Sequence, residues 1–278
     1  MAKNLSQNEY EAFWKKISSA NKKKVALPDS IDGVSGEHNI AEMWHGHFKY
    51  FLNSVRNPKH REEVEGRLSK YTQSAETEVK VSQLRNINDK LKWGKACGYD
   101  SIAAEHLKYA SGNLSVLLSM CFSAMLSHGY LPDDFMRTVI VPIIKDKAGD
   151  MTSKSNYRPI ALTTVLSKVF EHCLLGRCKD RLDTCDNQFG FKRNHSTDAC
   201  LFALKQTIQY YMQHSSPVFV CCLDASKAFD RVNHWSLLKV LLDRGVPTFV
   251  ARILSFCMDI RGTRISMVSG ISGKLSTF

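Results

Sequence analysis

Apolar residues recur at helical spacing along most of the chain. Spacings of three and four residues place such side chains on one face of a helix, where they can be buried together. Ser196 precedes one of these patterns and belongs to a residue type favoured as an N-cap, and Gly245 ends another. The pattern predicts helices near 7–20, 39–55, 83–92, 102–110, 113–127, 164–178 and 197–211, and one that begins near Trp235.

Two segments have the composition of β-strands. Residues 136–145, MRTVIVPIIK, are rich in β-branched side chains, and Pro142 marks an edge or a bulge because it cannot donate to a ladder. The polar residues 146–156 are then a hairpin loop. Residues 217–224, PVFVCCLD, form a short apolar run that predicts a buried strand. Helices, a hairpin, further helices and a strand–turn–helix unit indicate an α+β fold.

The charge of the chain adds a class of partner to this picture. The sequence has 38 Lys and Arg against 27 Asp and Glu, a formal net charge of +11. This surplus favours a polyanion, because Lys and Arg that neutralise phosphates release condensed counterions. A negatively charged membrane surface explains the charge equally well.

No feature of the sequence indicates export or membrane insertion. The N-terminal residues are polar and amphipathic and lack the apolar centre of a secretory signal. No apolar run approaches the roughly 18 residues of a membrane span. We therefore expect a soluble, intracellular protein, cytoplasmic and/or nuclear, with no membrane partner.

The cysteine count is nine, an odd number without the spacing of a secreted disulfide scaffold. We interpret these residues as reduced thiols, most of them in apolar stretches. The candidate ligands for a zinc ion are His172, Cys173, Cys178 and Cys185. Because the chain has no CxxC or HxxxH pair, buried structural cysteines are the favoured interpretation.

The most informative segment for chemistry is CCLDASKAFDRVNHWSLL, residues 221–238. A strand that ends in Asp224 before a tight turn presents a carboxylate and a backbone carbonyl at one sheet edge, which suits a hard divalent cation. Two such cations stabilise the attacking and leaving oxygens in phosphoryl transfer. The alternative is that Asp224 only caps a turn, and this segment alone does not decide between the two.

The order and spacing of several segments resemble those of motifs in the reverse transcriptases of non-LTR, LINE-type retrotransposons. The segments are GKACGYDSIAAEHLK (94–108), VIVPIIKDK (139–147), NYRPIAL (156–162), LSKVFE (166–171), QFGFKRNHSTDACL (188–201) and LDASKAFDRVNH (223–234). The resemblance covers roughly residues 79–270.

The resemblance implies a fold and a division of the chain. The fold is α+β, with the fingers of a right-hand polymerase, an incomplete palm with a partial ferredoxin-like sheet, and N-terminal helices. The expected divisions are a helical linker or N-terminal extension at 1–78, a fingers-like region at 79–215, and a partial palm with the first catalytic motif at 216–278.

The resemblance also implies roles at individual positions. Asp224 is the expected catalytic metal ligand, with the carbonyl of Ala225 close to the same Mg²⁺ ion. Phe229 is the expected steric gate against the nucleotide sugar, although the residue alone indicates an ordinary core phenylalanine. Lys145 and Arg158 are the expected triphosphate ligands, since Arg suits bidentate contact with phosphate and Lys acts as a point charge.

Further roles concern the template and the turn after the catalytic motif. Gln188, Gly190 and Arg193 are expected to follow the template backbone, with the alternative that Gly190 supplies a turn of positive φ. Asp230 and His234 are expected to brace the turn and cap the next helix, not to bind metal.

The family pattern continues after GTRISMVSGISGKLSTF into a Gln-Gly motif and an aromatic-x-Asp-Asp hairpin, which these 278 residues do not contain. The expectation is therefore a reverse transcriptase truncated before the Asp-Asp motif, with Mg²⁺ held weakly or not at all and no activity alone. Strand 217–224 then lacks an expected partner, which predicts low solubility or self-association through that strand.

Three functional hypotheses follow. The first is a fragment of an RNA-directed DNA polymerase, whose partners are an RNA template, a DNA primer and deoxynucleotides. The second is a non-catalytic nucleic-acid-binding remnant of a retrotransposon. The third is the reading frame of a decayed element with no selected role.

Overall fold

The protein is described by a computed structural model that covers much of the chain. It describes residues 28–51, 58–70, 75–192, 194–225, 228–229, 231–258, 265–268 and 275–277. The helix predicted near 7–20 lies outside these residues. Among the helices that are described, none combines the length and apolarity needed to cross a membrane.

The described elements are mostly helices, with a small sheet inserted between them. The helices are α1 Glu37–Phe51, α2 Pro58–Ser69, α3 Val81–Lys90, α4 Ala104–Tyr109, α5 Gly112–His128, α6 Asp133–Met136, α7 Val165–Cys178, α8 Thr197–Gln213, α9 His234–Asp243 and α10 Thr248–Met258. Single 3-10 turns span Ala75–Thr77, Lys154–Asn156 and Lys179–Arg181. The strands are β1 Ser30–Ile31, β2 Val34–Ser35, β3 Thr138–Ile144, β4 Tyr157–Leu162, β5 Ile265–Val268 and β6 Leu275–Thr277.

The helical pattern in the sequence is confirmed to within a few residues wherever the structure describes it. The N-cap prediction is confirmed too, because the Ser196 side chain accepts a hydrogen bond from the amide of Ala199 at 3.2 Å. Gly245 follows α9 with φ +76°, a left-handed conformation that favours glycine at the end of a helix. The mixed helical and strand composition agrees with the predicted α+β class.

The main sheet has the order β4-β3-β5-β6, with β3 antiparallel to β4 and parallel to β5. Pro142 lies directly opposite Pro159 in the β3–β4 hairpin. The amide of Lys145 donates to the carbonyl of Asn156 at 2.8 Å, and hydrogen-bonded pairs alternate along an antiparallel ladder. The proline pair therefore occupies a site where neither residue has to donate. Among the described residues, strand β5 pairs with 138–140 and none pairs with Pro142 on that side, so the edge or bulge at Pro142 stays a prediction.

The main hydrophobic core is formed by α3, α5, α7 and α10. Phe122 on α5 is 1% exposed and lies in edge contact with Phe135 and Phe170, at centroid distances of 6.0 and 5.1 Å. Eighteen buried residues form this core: Val79, Leu84, Ala104, Leu107, Leu118, Phe122, Leu126, Leu131, Val165, Val169, Phe170, Cys173, Leu174, Cys178, Val246, Phe249, Val250 and Ile253.

A second cluster packs α1 onto one face of the β3–β4 hairpin. Trp44 and Phe48 of α1 stack at 5.2 Å, and Trp44 lies 5.1 Å from the ring of Tyr157 on β4. Ile140 and Ile31 complete this cluster. Because α1 covers this face, the opposite face of the hairpin is the one available to a ligand.

A third cluster joins α2 to α9. Val64 of α2 is buried with Leu238 of α9, and ion pairs surround the contact. Arg67 lies 2.5 Å from Asp243, and Lys239 of α9 bonds to Glu63 of α2 at 2.5 Å. The helix after the catalytic-motif segment is thus held by a helix from the first part of the chain.

The predicted buried strand at 217–224 is wrong. The segment has no regular secondary structure, and Phe219 and Leu223 are 92% and 94% exposed. The preceding helix α8 has no buried residue. Within the described residues nothing covers this apolar run. Its apolar composition therefore did not lead to burial. The sheet is instead completed by β5 and β6, which the sequence pattern did not predict.

The cysteines differ in burial, and Cys97 and Cys257 are of intermediate exposure. Cys173 and Cys178 are buried on α7, and burial raises the pKa of the Cys173 thiol to about 11. Four others, which the sequence places in largely apolar stretches, are exposed: Cys121, Cys200, Cys221 and Cys222. For these four, the expectation of buried structural cysteines is wrong.

Candidate functional site

The β3–β4 hairpin brings two of the predicted ligands to one face. Arg158 is paired directly with Ile143, so their side chains point to the same side of the sheet. Lys145 lies two residues beyond Ile143 and shares that side. Ile143 is 49% exposed and both cations are exposed, so this is the face that α1 leaves open. The hairpin therefore presents two positive charges together.

The two cations differ in how they are held. The Lys145 ammonium donates to the carbonyl of Ser155 at 2.7 Å, which fixes the side chain beside the loop. The guanidinium of Arg158 has no carboxylate partner among the residues that the structure describes. An unpaired guanidinium on an open face retains its full bidentate capacity for an anion.

The loop of this hairpin is ordered by its own polar side chains. The side-chain amide of Asn156 donates to the backbone carbonyls of Asp146 and Asp150, at 2.8 and 3.1 Å. Asp32, in the turn between β1 and β2, pairs with Lys154 at 2.8 Å, and this hydrogen bond lowers the pKa of the Asp32 carboxyl. The loop is thus braced both internally and from the first hairpin.

The Gly-rich segment 94–108 is docked against the start of α7. A Cβ at Gly98 would lie 2.9 Å from backbone atoms of Thr164, so only glycine fits this approach. Thr164 is the N-cap of α7 and accepts from the amide of Ser167 at 3.1 Å. Glu105 accepts from the amide of Gly94 at 2.7 Å, a hydrogen bond that lowers the pKa of its carboxyl.

The acidic and aromatic residues within the same segment also have structural roles. Asp100 accepts from the amide of Ile102 at 3.1 Å, an Asx turn that accompanies φ +56° at Ser101. The Tyr99 hydroxyl donates to the carbonyl of Asp134 at 3.0 Å. The motif residues of this segment therefore shape a loop and fasten it to neighbouring helices.

Asp224 and Ala225 are exposed and lie outside regular secondary structure. No hydrogen bond or ion pair joins Asp224 to the hairpin cations within the described part of the chain. Phe229 is 75% exposed, and its ring lies 5.7 Å from that of Phe191. Because it is exposed, the alternative of an ordinary core phenylalanine is wrong. Phe191 itself was not singled out in the sequence.

The resemblance to reverse transcriptases implies a divalent metal ion. Asp224 and Ala225 offer oxygen donors of the type that such an ion binds. A carboxylate and a backbone carbonyl are hard oxygen ligands of the sort that Mg²⁺ takes. Their number is insufficient, since the described residues contain no group of three or more His, Cys, Asp or Glu side chains that would hold a metal ion. Asp224 and Ala225 by themselves therefore supply too few ligands to hold the ion.

The candidate template residues lie in an exposed turn before α8. Gln188 donates to the carbonyl of Gly190 at 3.0 Å. Gly190 does not have positive φ, so the alternative of a positive-φ turn is wrong at this position. Phe191 and Asn194 adopt φ values of 58° and 60° instead. Arg193 lies outside the described residues.

Helix α9 is capped by Asn233, not by the expected Asp230 or His234. Asn233 is the N-cap of α9 and accepts from the amide of Ser236 at 2.8 Å. His234 is the first helical residue, and burial lowers the pKa of its imidazole. The sequence signal for this cap was present, since Asn is a favoured N-cap type. Asp230 lies outside the described residues.

Comparison with known proteins finds a family match that begins at the last residue of β3 and includes β4. Residues 144–272 match the family described as Reverse transcriptase (RNA-dependent DNA polymerase). The chain is 29% identical over 167 residues to "Probable RNA-directed DNA polymerase from transposon BS" of Drosophila melanogaster, an alignment that covers 58% of this chain and 18% of that protein.

Two further relatives give the same result. The "RNA-directed DNA polymerase from mobile element jockey" of Drosophila funebris is 27% identical over 164 residues, 58% of this chain and 18% of that protein. The R2 "Retrovirus-related Pol polyprotein" of Popillia japonica is 29% identical over 136 residues, 47% of this chain and 19% of that protein. The chain spans less than a fifth of the length of these curated relatives. Residues 144–272 are therefore similar to reverse transcriptases, and these relatives are named as polymerases or Pol polyproteins of transposons and retrotransposable elements.

Proposed function

We propose that the chain is part of an RNA-directed DNA polymerase, which adds deoxynucleotides to a DNA primer on an RNA template. The observation that carries the proposal is the open face of the β3–β4 hairpin, on which Lys145 and Arg158 both lie. Their segments fall at the start of the region that matches the reverse transcriptase family. A triphosphate is the nucleotide group that two adjacent cations suit best.

We assign the finer architecture to the same proposal. Residues 79–215 form a fingers-like region, 216–278 a partial palm, and 1–78 a helical extension. The packing of α3, α5 and α7 into one core supports a unit in the middle of the chain. The docking of α2 on α9 supports an extension that braces the region after the catalytic motif.

Within this proposal each exposed residue has a separate task. Arg158 binds phosphate oxygens in a bidentate manner, and Lys145 supplies a point charge beside it. Phe229 lies against the nucleotide sugar and excludes a 2′-hydroxyl. Asp224 and the carbonyl of Ala225 contribute to an Mg²⁺ site. When bound, the metal stabilises developing charge on the oxygens of the transferred phosphoryl group.

The template is assigned to the turn that precedes α8. Gln188, Gly190 and Arg193 follow the template backbone. What supports this is the exposure of Gln188 and Gly190 and the brace between them, which orders the turn without covering it.

The proposed binding of nucleotide by the hairpin is tested by photo-cross-linking of an azido-deoxynucleoside triphosphate, with Mg²⁺ and an RNA–DNA primer–template present. Arg158→Gln and Lys145→Gln are each expected to reduce labelling at subsaturating nucleotide about tenfold or more, because a hydrogen bond to a charged group contributes about 1.5–3 kcal/mol. Lys147→Gln is the matched control, since Lys147 is exposed in the same loop. Equal loss in all three variants, or no loss in any, contradicts the assignment.

We further propose that a polypeptide of these 278 residues does not extend a primer by itself. Asp224 is the only family metal carboxylate that the resemblance assigns within it, and one carboxylate does not hold two cations. The measurement is primer extension on an RNA template with Mg²⁺ and deoxynucleotides. Incorporation that Asp224→Asn abolishes would overturn this proposal.

A second candidate function is nucleic-acid binding without chemistry. The observation in its favour is the combination of net charge +11 with an open basic hairpin face. Binding to an RNA–DNA hybrid is then expected to weaken with salt, with a log–log slope of about −0.9 for each duplex phosphate neutralised. A binding constant that does not change with salt excludes this function.

We also propose self-association through the exposed run 217–224. Its support is the exposure of Phe219 and Leu223, which leaves apolar surface open to another chain. An exclusively monomeric elution profile at high protein concentration contradicts it.

A further inference from the structure

Phe191 and Phe229 form an exposed aromatic pair between two separate segments of the chain. Their rings meet edge to face, at a centroid distance of 5.7 Å and an interplanar angle of 82°. Phe191 is 94% exposed and Phe229 is 75% exposed. A contact that removes so little apolar surface from water contributes little to the hydrophobic core. The reason for this contact therefore lies at the surface, where Phe229 is proposed to meet a nucleotide.

The backbone at Phe191 has a conformation that a bulky residue rarely adopts. Its φ is +58°, in the left-handed region. Such a conformation persists where the surrounding structure holds it in place, and it is concentrated at functional sites. The preceding residue, Gly190, does not have positive φ, although glycine would adopt it without steric cost. The turn thus places the unfavourable conformation on the aromatic residue itself.

Hydrogen bonds hold this turn on both sides of Phe191. The Gln188 side chain donates to the carbonyl of Gly190 at 3.0 Å. The Lys192 ammonium donates to the backbone carbonyls of residues 184 and 185, at 3.2 and 3.3 Å. These bonds order the backbone before and after Phe191. The direction of its exposed side chain is therefore set by the turn and not by burial.

A steric gate needs a ring that stays in one place. An exposed phenylalanine exchanges between staggered χ1 rotamers, and each exchange moves the ring away from a given point beside the sugar. Because Phe229 is 75% exposed, little of the protein surrounds its ring. The ring of Phe191 supplies a neighbour, and an edge-to-face contact favours one distance and one tilt between two rings. The contact therefore restricts the positions that Phe229 can occupy.

We propose that Phe191 is a positioning residue, which holds the ring of Phe229 and thereby sets the discrimination between deoxynucleotides and ribonucleotides. This role rests on the proposed function, in which Phe229 lies against the nucleotide sugar and excludes a 2′-hydroxyl. Phe191 belongs to the turn before α8, where template contacts are proposed for its neighbours. The aromatic contact thus connects that turn to the nucleotide.

The contact is tested first without nucleotide, by fluorine NMR of the 278-residue protein labelled with para-fluorophenylalanine. The resonance of Phe229 is assigned by its loss in Phe229→Tyr. Phe191→Gly is expected to shift this resonance, because it removes the ring current of the neighbouring ring. Phe202→Ala is the control, since Phe202 is 65% exposed on α8, and it is expected to leave the resonance in place. An unshifted resonance in Phe191→Gly overturns the proposal.

Discrimination is measured by photo-cross-linking of azido-deoxynucleoside and azido-ribonucleoside triphosphates, with Mg²⁺ and an RNA–DNA primer–template present. The measured quantity is the ratio of the two apparent dissociation constants. Phe191→Gly is expected to lower the preference for deoxynucleotide about two- to tenfold, the range that corresponds to the contribution of an aromatic pair. Phe191→Tyr keeps the ring and is expected to stay within about twofold of the original preference. Phe202→Ala is expected to leave the preference unchanged.

A double variant shows whether Phe191 acts through Phe229. Phe229→Ala is expected to abolish the preference for deoxynucleotide. In that background, Phe191→Gly is expected to have no further effect on the ratio, because the two residues then no longer interact. A further fall in the ratio overturns the positioning role. An equal loss of affinity for both nucleotides in Phe191→Gly, with the ratio unchanged, also overturns it, because this is the result of a purely structural role.

The outcomes separate this proposal from the proposed function. A ratio that falls in Phe229→Ala and not in Phe191→Gly overturns the role of Phe191 and leaves the gate in place. An unchanged ratio in Phe229→Ala, or no labelling of the original protein, contradicts the gate, and the role of Phe191 is overturned with it. Circular dichroism melting verifies the fold of each variant. Phe191→Gly is expected to melt no lower than the original, because glycine adopts the left-handed conformation without strain.

Discussion

Replacement of Phe122 by Ala is expected to lower the free energy of unfolding by about 3–5 kcal/mol. Phe122 is 1% exposed, and its ring lies in edge contact with Phe135 and Phe170. The removed ring leaves a cavity between α5, α6 and α7, and helices in a packed core relax only partly to fill such a space. Urea unfolding followed by circular dichroism measures the change.

Phe219→Ala is the matched control. Phe219 is 92% exposed, so the same truncation is expected to change the free energy of unfolding by no more than about 0.5 kcal/mol. The pair of variants also tests whether residues 217–224 are exposed. A loss of several kcal/mol at Phe219 would restore the buried strand that the apolar run suggested. A small loss at Phe122 would contradict the core.

The helices were predictable because their signals are local. Each has apolar positions at short spacing, and some carry a cap residue at the boundary, such as Ser196 before α8. The strand predicted at 217–224 is wrong because burial of a strand does not depend on local signals alone. Apolar composition says that a segment can be buried, but burial needs a partner elsewhere in the chain, and the described residues provide none. Strand β5 was missed because it pairs with β3 across more than 100 residues of sequence.

The sequence names candidate residues for the site but does not give their geometry. The sequence alone does not show that Lys145 and Arg158 share a face, because this depends on register. Register here follows from the Pro142–Pro159 pair at a non-hydrogen-bonded position and from the bond between Lys145 and Asn156. A shift by one residue would place the two cations on opposite faces.

The segment 94–108 resembles a family motif, and its contacts in the structure give a physical reason for several of its residues. Its likeness to a family motif does not state what its glycines do. In the structure Gly98 permits close approach to Thr163 and Thr164, while Glu105 holds the amide of Gly94. These roles concern the docking of a loop on α7, so substitution in the segment should first change stability.

Gly98→Ala is accordingly expected to lower the free energy of unfolding by about 1–3 kcal/mol, towards the upper end of that range. The new Cβ would lie 2.9 Å from the Cα and N of Thr164, and backbone atoms at a helix N-cap cannot rotate away as a side chain can. Gly98 does not have positive φ, so the loss measures steric overlap alone. Gly66→Ala on α2 is the control, because a Cβ there meets nothing within 4 Å. That substitution is expected to stabilise the protein by up to about 1 kcal/mol, since Ala loses less conformational freedom than Gly on folding into a helix. Urea unfolding of both variants decides the matter: if Gly98→Ala behaves like Gly66→Ala, the loop does not dock on α7 as described.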